Sequence, residues 1–171
     1  MLRVNDQIGR CLTSEEENRL LAACRDSRSR SLYPAVILAL NTCMRYSEIR
    51  LLKWEQIDFV SGALRVGKSK TDFGTGRVLP LNDRALAVLT FWAGVFPARS
   101  TEDPRVPVGT LWCRRRCFHA CTYDCDPTKP IGRWKEAWEA AKVRARVSCR
   151  FHDLRHTGCT RGCLKVVCLL L

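Results

Sequence analysis

The sequence lacks an apolar run long enough to cross a bilayer, and the closing apolar stretch, residues 166–171, is only a short end. Residues 1–10 alternate polar and apolar side chains, so the charged and then apolar segments typical of a secretion signal are also missing. These absences favour a cytoplasmic protein without a membrane partner. Its 11 cysteines are then expected to be reduced, because disulfides persist mainly in oxidising compartments.

Acidic residues are scarce relative to basic ones. The chain has 17 Asp and Glu against 29 Lys and Arg, which gives a formal net charge of +12. The imbalance is larger from Arg99 onward, where 15 basic residues accompany 7 acidic ones. A strongly basic chain attracts polyanions, so nucleic acid is an expected partner. Charge alone also allows a soluble protein that is simply basic.

Four cysteines recur every four residues around His119: Cys113, Cys117, Cys121 and Cys125. Structural zinc sites usually pair their ligands as two close couples separated by a longer loop. A constant spacing of four is instead typical of one drifting stripe on a helix, or of a loop that tolerates cysteine. We therefore expect no metal or other cofactor, although a zinc module remains the alternative interpretation of residues 113–125.

Capping and periodicity signals predict a mainly helical chain. Thr13 with Glu16, or Ser14 with Glu17, forms a capping box at which a first helix begins. The continuously apolar stretch 32–40 predicts a buried second helix. Apolar residues at helical spacing predict three more helices: residues 48–54 with Ile49, Leu52 and Leu51 turned inward, residues 85–93 after a cap at Asn82 or Asp83, and a helix with Ile131, Trp134, Trp138 and Ala141 on its inner face.

Two short apolar segments, residues 63–66 and 77–81, are strand candidates. The loop between them contains Lys68, Lys70 and two glycines, which favour a turn. The sequence therefore predicts a small β-hairpin with a basic tip. Together with the helices, this indicates an α+β fold in which a small antiparallel sheet packs on helices.

Three segments carry a family resemblance: TCMRYSEI at 42–49 leading into LKWEQID at 52–58, KSKT at 68–71 closing on RVLPL at 77–81, and HDLRHT at 152–157. In this order they resemble the catalytic domain of tyrosine recombinases, the phage-integrase family, over residues 12–161. The resemblance implies double-stranded DNA as partner, assembly as a homo-oligomer on DNA, and breakage and rejoining of strands through a 3′-phosphotyrosine without a cofactor.

The resemblance also implies catalytic roles. Arg45 and Arg155 would clamp the scissile phosphate, because guanidinium groups stay charged and offer paired donors to phosphate. Lys70 would protonate the departing 5′ oxygen, with Lys68 as the alternative. His152, three residues before Arg155, would hydrogen-bond the phosphate or shuttle a proton. The alternatives are a helix-surface ion pair of Arg45 with a nearby carboxylate and a capping or core role for His152.

Other residues would support this site. Glu48 resembles the buried acidic support of the family, Asp153 is expected to cap or orient its helix, and His156 to support packing. Lys68 and Arg77 are candidate DNA contacts. Each of these roles follows from the resemblance rather than from composition.

The sequence departs from the family after residue 161. Members continue to a nucleophilic tyrosine, whereas the tyrosines here are Tyr33, Tyr46 and Tyr123, none of which follows Arg155. An N-terminal DNA-binding domain is also expected in the family. We therefore expect residues 1–171 to be a single catalytic-type domain, a fragment without its nucleophile. A noncatalytic DNA-binding remnant and, less favoured, the zinc module are the alternatives.

Overall fold

The computed structural model describes residues 9–69, 72–96, 98–118 and 122–169, with side chains described for 9–69, 72, 74–96, 98–112 and 126–161. The helices are α1 Ser14–Arg25, α2 Leu32–Thr42, α3 Tyr46–Arg50, α4 Asp83–Val95, α5 Lys135–Ala145 and α6 Phe151–Leu169. The strands are β1 Ile57–Asp58, β2 Ala63–Arg65, β3 Val78–Pro80, β4 Cys113–Phe118 and β5 Thr122–Pro130. This confirms the mainly helical α+β fold. Within the described ranges, no helix is long and apolar enough to span a membrane.

Helix α1 begins where the capping signals predict. The Glu16 amide donates to Thr13 Oγ1 at 3.2 Å, and the Thr13 amide donates to Glu16 Oε2 at 3.0 Å. The box is therefore formed by Thr13 and Glu16 rather than by Ser14 and Glu17. Acidic residues in the first turn also interact favourably with the positive end of the helix dipole.

Helix α2 lies at the centre of the molecule and packs against α1, α3, α4 and α6. Nearly all of its side chains are buried, as its apolar sequence predicts. It ends at Cys43, whose left-handed conformation (φ 53°) reverses the chain direction and leads into Arg45. The core helix thereby fixes where the first candidate arginine emerges.

The predicted hairpin is confirmed as β2 and β3, which are antiparallel with Leu64 opposite Leu79. A strand that the sequence did not predict, β1, pairs with the other edge of β2 and places Ile57 opposite Leu64. Leu64 is fully buried, so this three-stranded sheet rests on the helical core. Its β2–β3 loop approaches α3, where Ser69 and Arg77 both donate to Glu48.

Two predicted helices differ from the structure at their ends. Helix α3 spans Tyr46–Arg50 rather than 48–54. Leu51, expected to face inward, is 42% exposed at its C-cap, whereas Ile49 and Leu52 are buried as predicted. In α5, Ile131 precedes the helix, and its amide instead donates to the carbonyl of Trp112 at 2.6 Å. Long-range backbone pairing overrides the local helical spacing there.

The cysteine-rich segment was predicted wrongly as a helical stripe or a loop. Residues 113–118 and 122–130 form an antiparallel hairpin in which Arg114 lies opposite Asp126 and Arg116 opposite Asp124. Cys121 and His119 lie outside the described residues, so the alternative of a zinc site there stays untested.

A chain of tryptophans links the helices that surround the candidate site. Ring centroids lie 5.8 Å apart between Trp92 and Trp112, and 5.8 Å apart between Trp112 and Trp134. The indole of Trp112 donates to the carbonyl of Ile49 in α3 at 2.7 Å, and Trp134 stacks on Phe151 at the start of α6. Buried tryptophans require such partners for their N–H groups. They therefore fix α3 and α6 relative to each other.

Candidate functional site

Glu48, in α3, is the centre of a polar cluster. Its side chain is 0% exposed. It accepts hydrogen bonds from the Arg45 amide (2.8 Å) and Arg45 Nη1 (3.1 Å), and from Ser69 Oγ (2.5 Å). Arg77 donates through Nη1 at 3.1 Å and Nη2 at 2.7 Å, a two-pronged contact. Every partner is a donor, so the cluster stabilises the ionised carboxylate.

The pKa of Glu48 reflects this arrangement. Burial acts to raise the pKa, but hydrogen bonds from Arg77, Ser69 and Arg45 together outweigh it and lower the pKa to about 2. Arg45 does pair with Glu48, but the carboxylate is buried, so the alternative of a helix-surface ion pair does not describe the contact. Arg45 Nη1 also donates to Ser69 Oγ at 3.3 Å, and the Arg45 side chain is still 35% exposed.

The β2–β3 loop delivers two of these donors. Ser69 and Arg77 lie at its two ends, and Arg77 Nη1 also donates to the carbonyl of Gly74 at 2.7 Å. A Cβ atom at Gly74 would clash with Ser69 Oγ, so only glycine allows this approach. Lys68, in the same loop, is exposed, whereas Lys70 lies outside the described residues.

The first turns of α6 carry His152 and Arg155. His152 is exposed, and its ring lies 4.9 Å from that of His156 in an edge-to-face arrangement. Partial burial, with the charges of His156 and Arg155, lowers the pKa of His152. Arg155 Nη1 is buried and has no hydrogen-bond partner within the described part of the chain. A buried guanidinium N–H without a partner is costly, so this donor is suited to a ligand.

Asp153 holds the start of α6, as the sequence predicts for a capping role. Its carboxylate accepts from the Arg150 amide at 2.8 Å and from Arg150 Nη2 at 2.9 Å. Burial acts to raise its pKa, but the Arg150 hydrogen bonds prevail and lower it. The negative charge of the ionised Asp153 also interacts favourably with the positive end of the helix dipole at the start of α6.

The helix face of α6 that carries Arg155 packs near the segment that contains Arg45. Phe151, Arg155 and Gly158 share one face of α6 by their spacing of four and three residues. The Phe151 ring lies 5.0 Å from that of Tyr46, the residue after Arg45. At Gly158 a Cβ would clash with the carbonyl of Leu40 in α2. Residues on both sides of Arg155 therefore contact α2 or α3, the helices that flank Arg45.

An open cleft of about 680 Å³ adjoins this site. Tyr46 and Phe151 form part of its wall, and each is next in sequence to a candidate catalytic residue. Three cationic side chains, Arg50, Arg133 and Lys135, line it, and its lining includes no acidic residue. The cleft is therefore a positive surface continuous with the candidate site.

Sequence reasoning did not assign Ser69 to the site. It also named Arg77 only as a DNA contact, whereas its guanidinium lies on Glu48. These partners are 21 and 29 positions from Glu48, so no local spacing links them. Among the side chains that the structure describes, no three His, Cys, Asp or Glu residues are grouped as metal ligands.

Comparison with known proteins identifies a family. The model of the phage integrase family matches residues 10–162. The shufflon-specific DNA recombinase of Escherichia coli is 32% identical over 160 residues, which are 93% of this chain and 34% of that protein. The integrase of Salmonella phage P22 is 32% identical over 158 residues, covering 86% of this chain and 35% of that protein. The chain thus spans about a third of the length of these relatives.

Solved structures share the fold. The integrase of the Tn1549 transposon, in complex with circular intermediate DNA, superposes with a TM-score of 0.67 at 17% identity and covers 94% of this chain and 54% of that chain. The catalytic domain of bacteriophage HP1 integrase gives a TM-score of 0.56 at 22% identity, covering 86% of this chain and 68% of that chain. At these identities the likeness concerns the fold alone.

Proposed function

Because this chain belongs to the phage integrase family, the family of the tyrosine recombinases, we propose that it binds double-stranded DNA and activates a phosphodiester for strand exchange. Two observations carry the proposal: Arg45, 35% exposed, is fixed by the buried Glu48, and Nη1 of Arg155 is buried without a hydrogen-bond partner in the described part of the chain. Two guanidinium groups held in place in this way would bind the non-bridging oxygens of one phosphate. We also propose a cytoplasmic location, because that is where we expect it to meet its DNA substrate.

In the proposed reaction, a tyrosine hydroxyl attacks phosphorus and the 5′ oxygen leaves with a proton. Arg45 and Arg155 stabilise the added negative charge, and losing one such donor costs about 10²–10³ in rate in comparable sites. His152 hydrogen-bonds the phosphate. Lys70, or Lys68 as its alternative, supplies the proton to the leaving oxygen. Glu48, held by Arg77, positions Arg45, and Asp153 positions the start of α6.

None of the tyrosines printed in the sequence is our candidate nucleophile. The Tyr46 hydroxyl accepts from the Trp134 amide at 3.2 Å, and the Tyr33 hydroxyl accepts from Arg25 at 3.1 Å. The side chain of Tyr123 lies outside the described ones. We therefore propose that these 171 residues are a fragment that binds DNA but lacks its own nucleophile. A noncatalytic DNA-binding remnant is the second candidate. It is favoured because the hydroxyls of Tyr33 and Tyr46 both accept hydrogen bonds within the chain.

The first test is DNA binding. Fluorescence anisotropy with a labelled duplex, repeated across salt concentrations, should give an affinity that falls steeply with salt. Arg45→Ala and Arg155→Ala should each weaken binding and reduce the salt slope by about 1. Arg105→Ala is the control, because Arg105 is 90% exposed and pairs with Asp103 in its own loop. Equal binding by all four proteins at every salt concentration would disprove the proposal.

The second test asks whether the chain supplies its own nucleophile. The chain is incubated with a nicked duplex that traps covalent intermediates and is then run on a denaturing gel. We expect DNA binding without a covalent adduct. An adduct that requires one of the three tyrosines would contradict the fragment proposal and establish strand cleavage. Size measurement of the DNA complex tests the homo-oligomer that the family resemblance implies.

A further inference from the structure

Residues 9–12, the N-terminal strap, run along the outer face of α6. The Leu12 amide donates to Thr157 Oγ1 at 3.0 Å, and that hydroxyl donates to the carbonyl of Asp153 at 2.8 Å. Cys11 Sγ lies 3.1 Å from Thr160 Oγ1. Leu12 and Thr157 are buried, so the far end of the strap is anchored in the core. These bonds fix the path of the strap over two turns of α6.

The near end of the strap rests on His156. A Cβ atom at Gly9 would clash with three atoms of the His156 imidazole, Cδ2, Nε2 and Cε1. The backbone of Gly9 therefore packs directly on the ring, at a distance that only glycine allows. His156 also meets the ring of His152 at 4.9 Å between centroids. His156 thus contacts both the strap and the exposed histidine of the candidate site.

We propose that the strap positions His152 through His156, with Gly9 as the positioning residue at its contact point. His152 is exposed, and its ring contacts that of His156 edge to face. Because Gly9 fixes the ring of His156, the edge-to-face contact between the two histidines restricts the ring of His152. The strap therefore orients the imidazole edge of His152 towards a bound phosphate. Only this last role rests on the proposed function; the coupling between strap and rings does not.

The anchoring of the strap supports this direction of coupling. Arg10 pairs with Glu16 in the first turn of α1, so the strap is fixed to α1 as well as to α6. A segment tied at both helices cannot move away from His156 without breaking these bonds. We therefore expect a substitution at Gly9 to displace the His156 ring, because residues 10–12 are anchored by these bonds.

The test is Gly9→Ala, read by NMR of the imidazole groups. The chain has three histidines, His119, His152 and His156, so each signal can be assigned with single His→Gln variants. We expect the signals of both His156 and His152 to shift. Gly94→Ala is the matched control, because a Cβ at Gly94 meets nothing within 4 Å, and it should leave these signals in place. Unchanged signals of both rings in Gly9→Ala would overturn the proposal.

A double-mutant cycle tests the route through His156. In a His156→Ala background, Gly9→Ala should no longer shift the His152 signal, because the intermediate ring is gone. An equal His152 shift with and without His156 would overturn the proposal, since the effect would then bypass that ring. Thr157→Val, which removes the hydroxyl that anchors Leu12, should reproduce the Gly9→Ala shifts if Gly9→Ala fails to fold. None of these readouts requires DNA. Failure of the DNA-binding proposal could therefore be distinguished from failure of the coupling between the strap and the two histidines.

Discussion

At the residue scale, Glu48 fixes the position of Arg45 by accepting hydrogen bonds from its amide and its guanidinium group. Because the pKa of Glu48 in the folded chain is about 2, below its ordinary value of 4.5, the unfolded chain takes up the proton first as pH falls. Its contribution to stability is therefore present above pH 4.5 and is lost as pH falls towards 2. A difference of this size corresponds to about 3 kcal/mol at most.

Comparison of the native chain with Glu48→Gln isolates this contribution. We expect Glu48→Gln to unfold at lower urea concentration at pH 7, and the difference from the native chain to shrink between pH 4.5 and pH 2. Tryptophan fluorescence reports the unfolding. Glu136→Gln, at an exposed position of α5, should match the native chain throughout. A stability difference that does not depend on pH would contradict the role of the ionised carboxylate.

The sequence predicted which residues of the candidate site lie close together within a short motif. It did not predict the contacts that these residues make with distant parts of the chain. Arg45 and Glu48 are three residues apart on one helix end, and His152 and Arg155 are three apart on α6, so local spacing brings each pair together. Ser69 and the contact of Arg77 with Glu48 depend on how the sheet docks against α3. That docking is a property of tertiary packing, which no local pattern encodes.

At the scale of elements, the β2–β3 loop must approach α3 closely to complete the site. Gly74→Ala should displace Ser69 and Arg77 from Glu48, because the new Cβ would overlap with Ser69 Oγ. We expect DNA affinity to fall about fivefold to tenfold, equivalent to about 1–1.4 kcal/mol. Anisotropy titrations measure this loss, with Gly94→Ala as the matched control. Unchanged DNA affinity in Gly74→Ala would show that the β2–β3 loop does not position Arg45 for DNA binding.

The cleft between α3, α5 and α6 is the second element to test. Arg133 and Lys135 are exposed on its lining, so each is available to a DNA phosphate. Arg133→Ala and Lys135→Ala should each reduce the salt slope by about 1 and weaken binding to unrelated duplexes equally. Arg105→Ala, in the loop after α4, should change neither. A loss confined to one DNA sequence would instead indicate base contacts.

Helices were predicted more accurately than the second hairpin. Thr13 and Asn82 cap α1 and α4 through side-chain bonds to amides three residues on, which is a local signal. The β4–β5 hairpin depends on backbone pairing between strands, and its spacing of cysteines is equally compatible with a helix. The spacing of residues in the sequence could therefore not distinguish a strand from a helix in this segment.

At the scale of the whole molecule, one apolar core extends from Leu12 through α2 to Leu154 in α6. The sequence predicted the burial of α2 and the inner face of α5, because continuous apolar runs and apolar residues at helical spacing turn inward. It did not predict which helices meet, and α1 packs against α5 although more than 100 positions separate them in the chain.

Glu17 connects three distant parts of the chain. Its buried side chain, only 5% exposed, pairs with Arg84 of α4 at 3.4 Å and with Arg161 of α6, whose Nη1 lies 3.1 Å away. Glu17→Gln would leave both guanidinium groups without a charged partner, and breaking hydrogen bonds to charged groups costs about 1.5–3 kcal/mol. Because the contact joins α1 to α4 and α6, the loss should appear as lower stability of the whole molecule.

Urea unfolding followed by tryptophan fluorescence measures this loss, since the chain has five tryptophans. We expect a lower midpoint for Glu17→Gln with an unchanged slope, because the same surface is exposed on unfolding. Glu15→Gln is the matched control: Glu15 lies in the same first turn of α1, with the same helix dipole, but is exposed. Equal midpoints for both variants would show that the ion pairs of Glu17 are not what holds α1, α4 and α6 together, and would leave apolar packing as the cause.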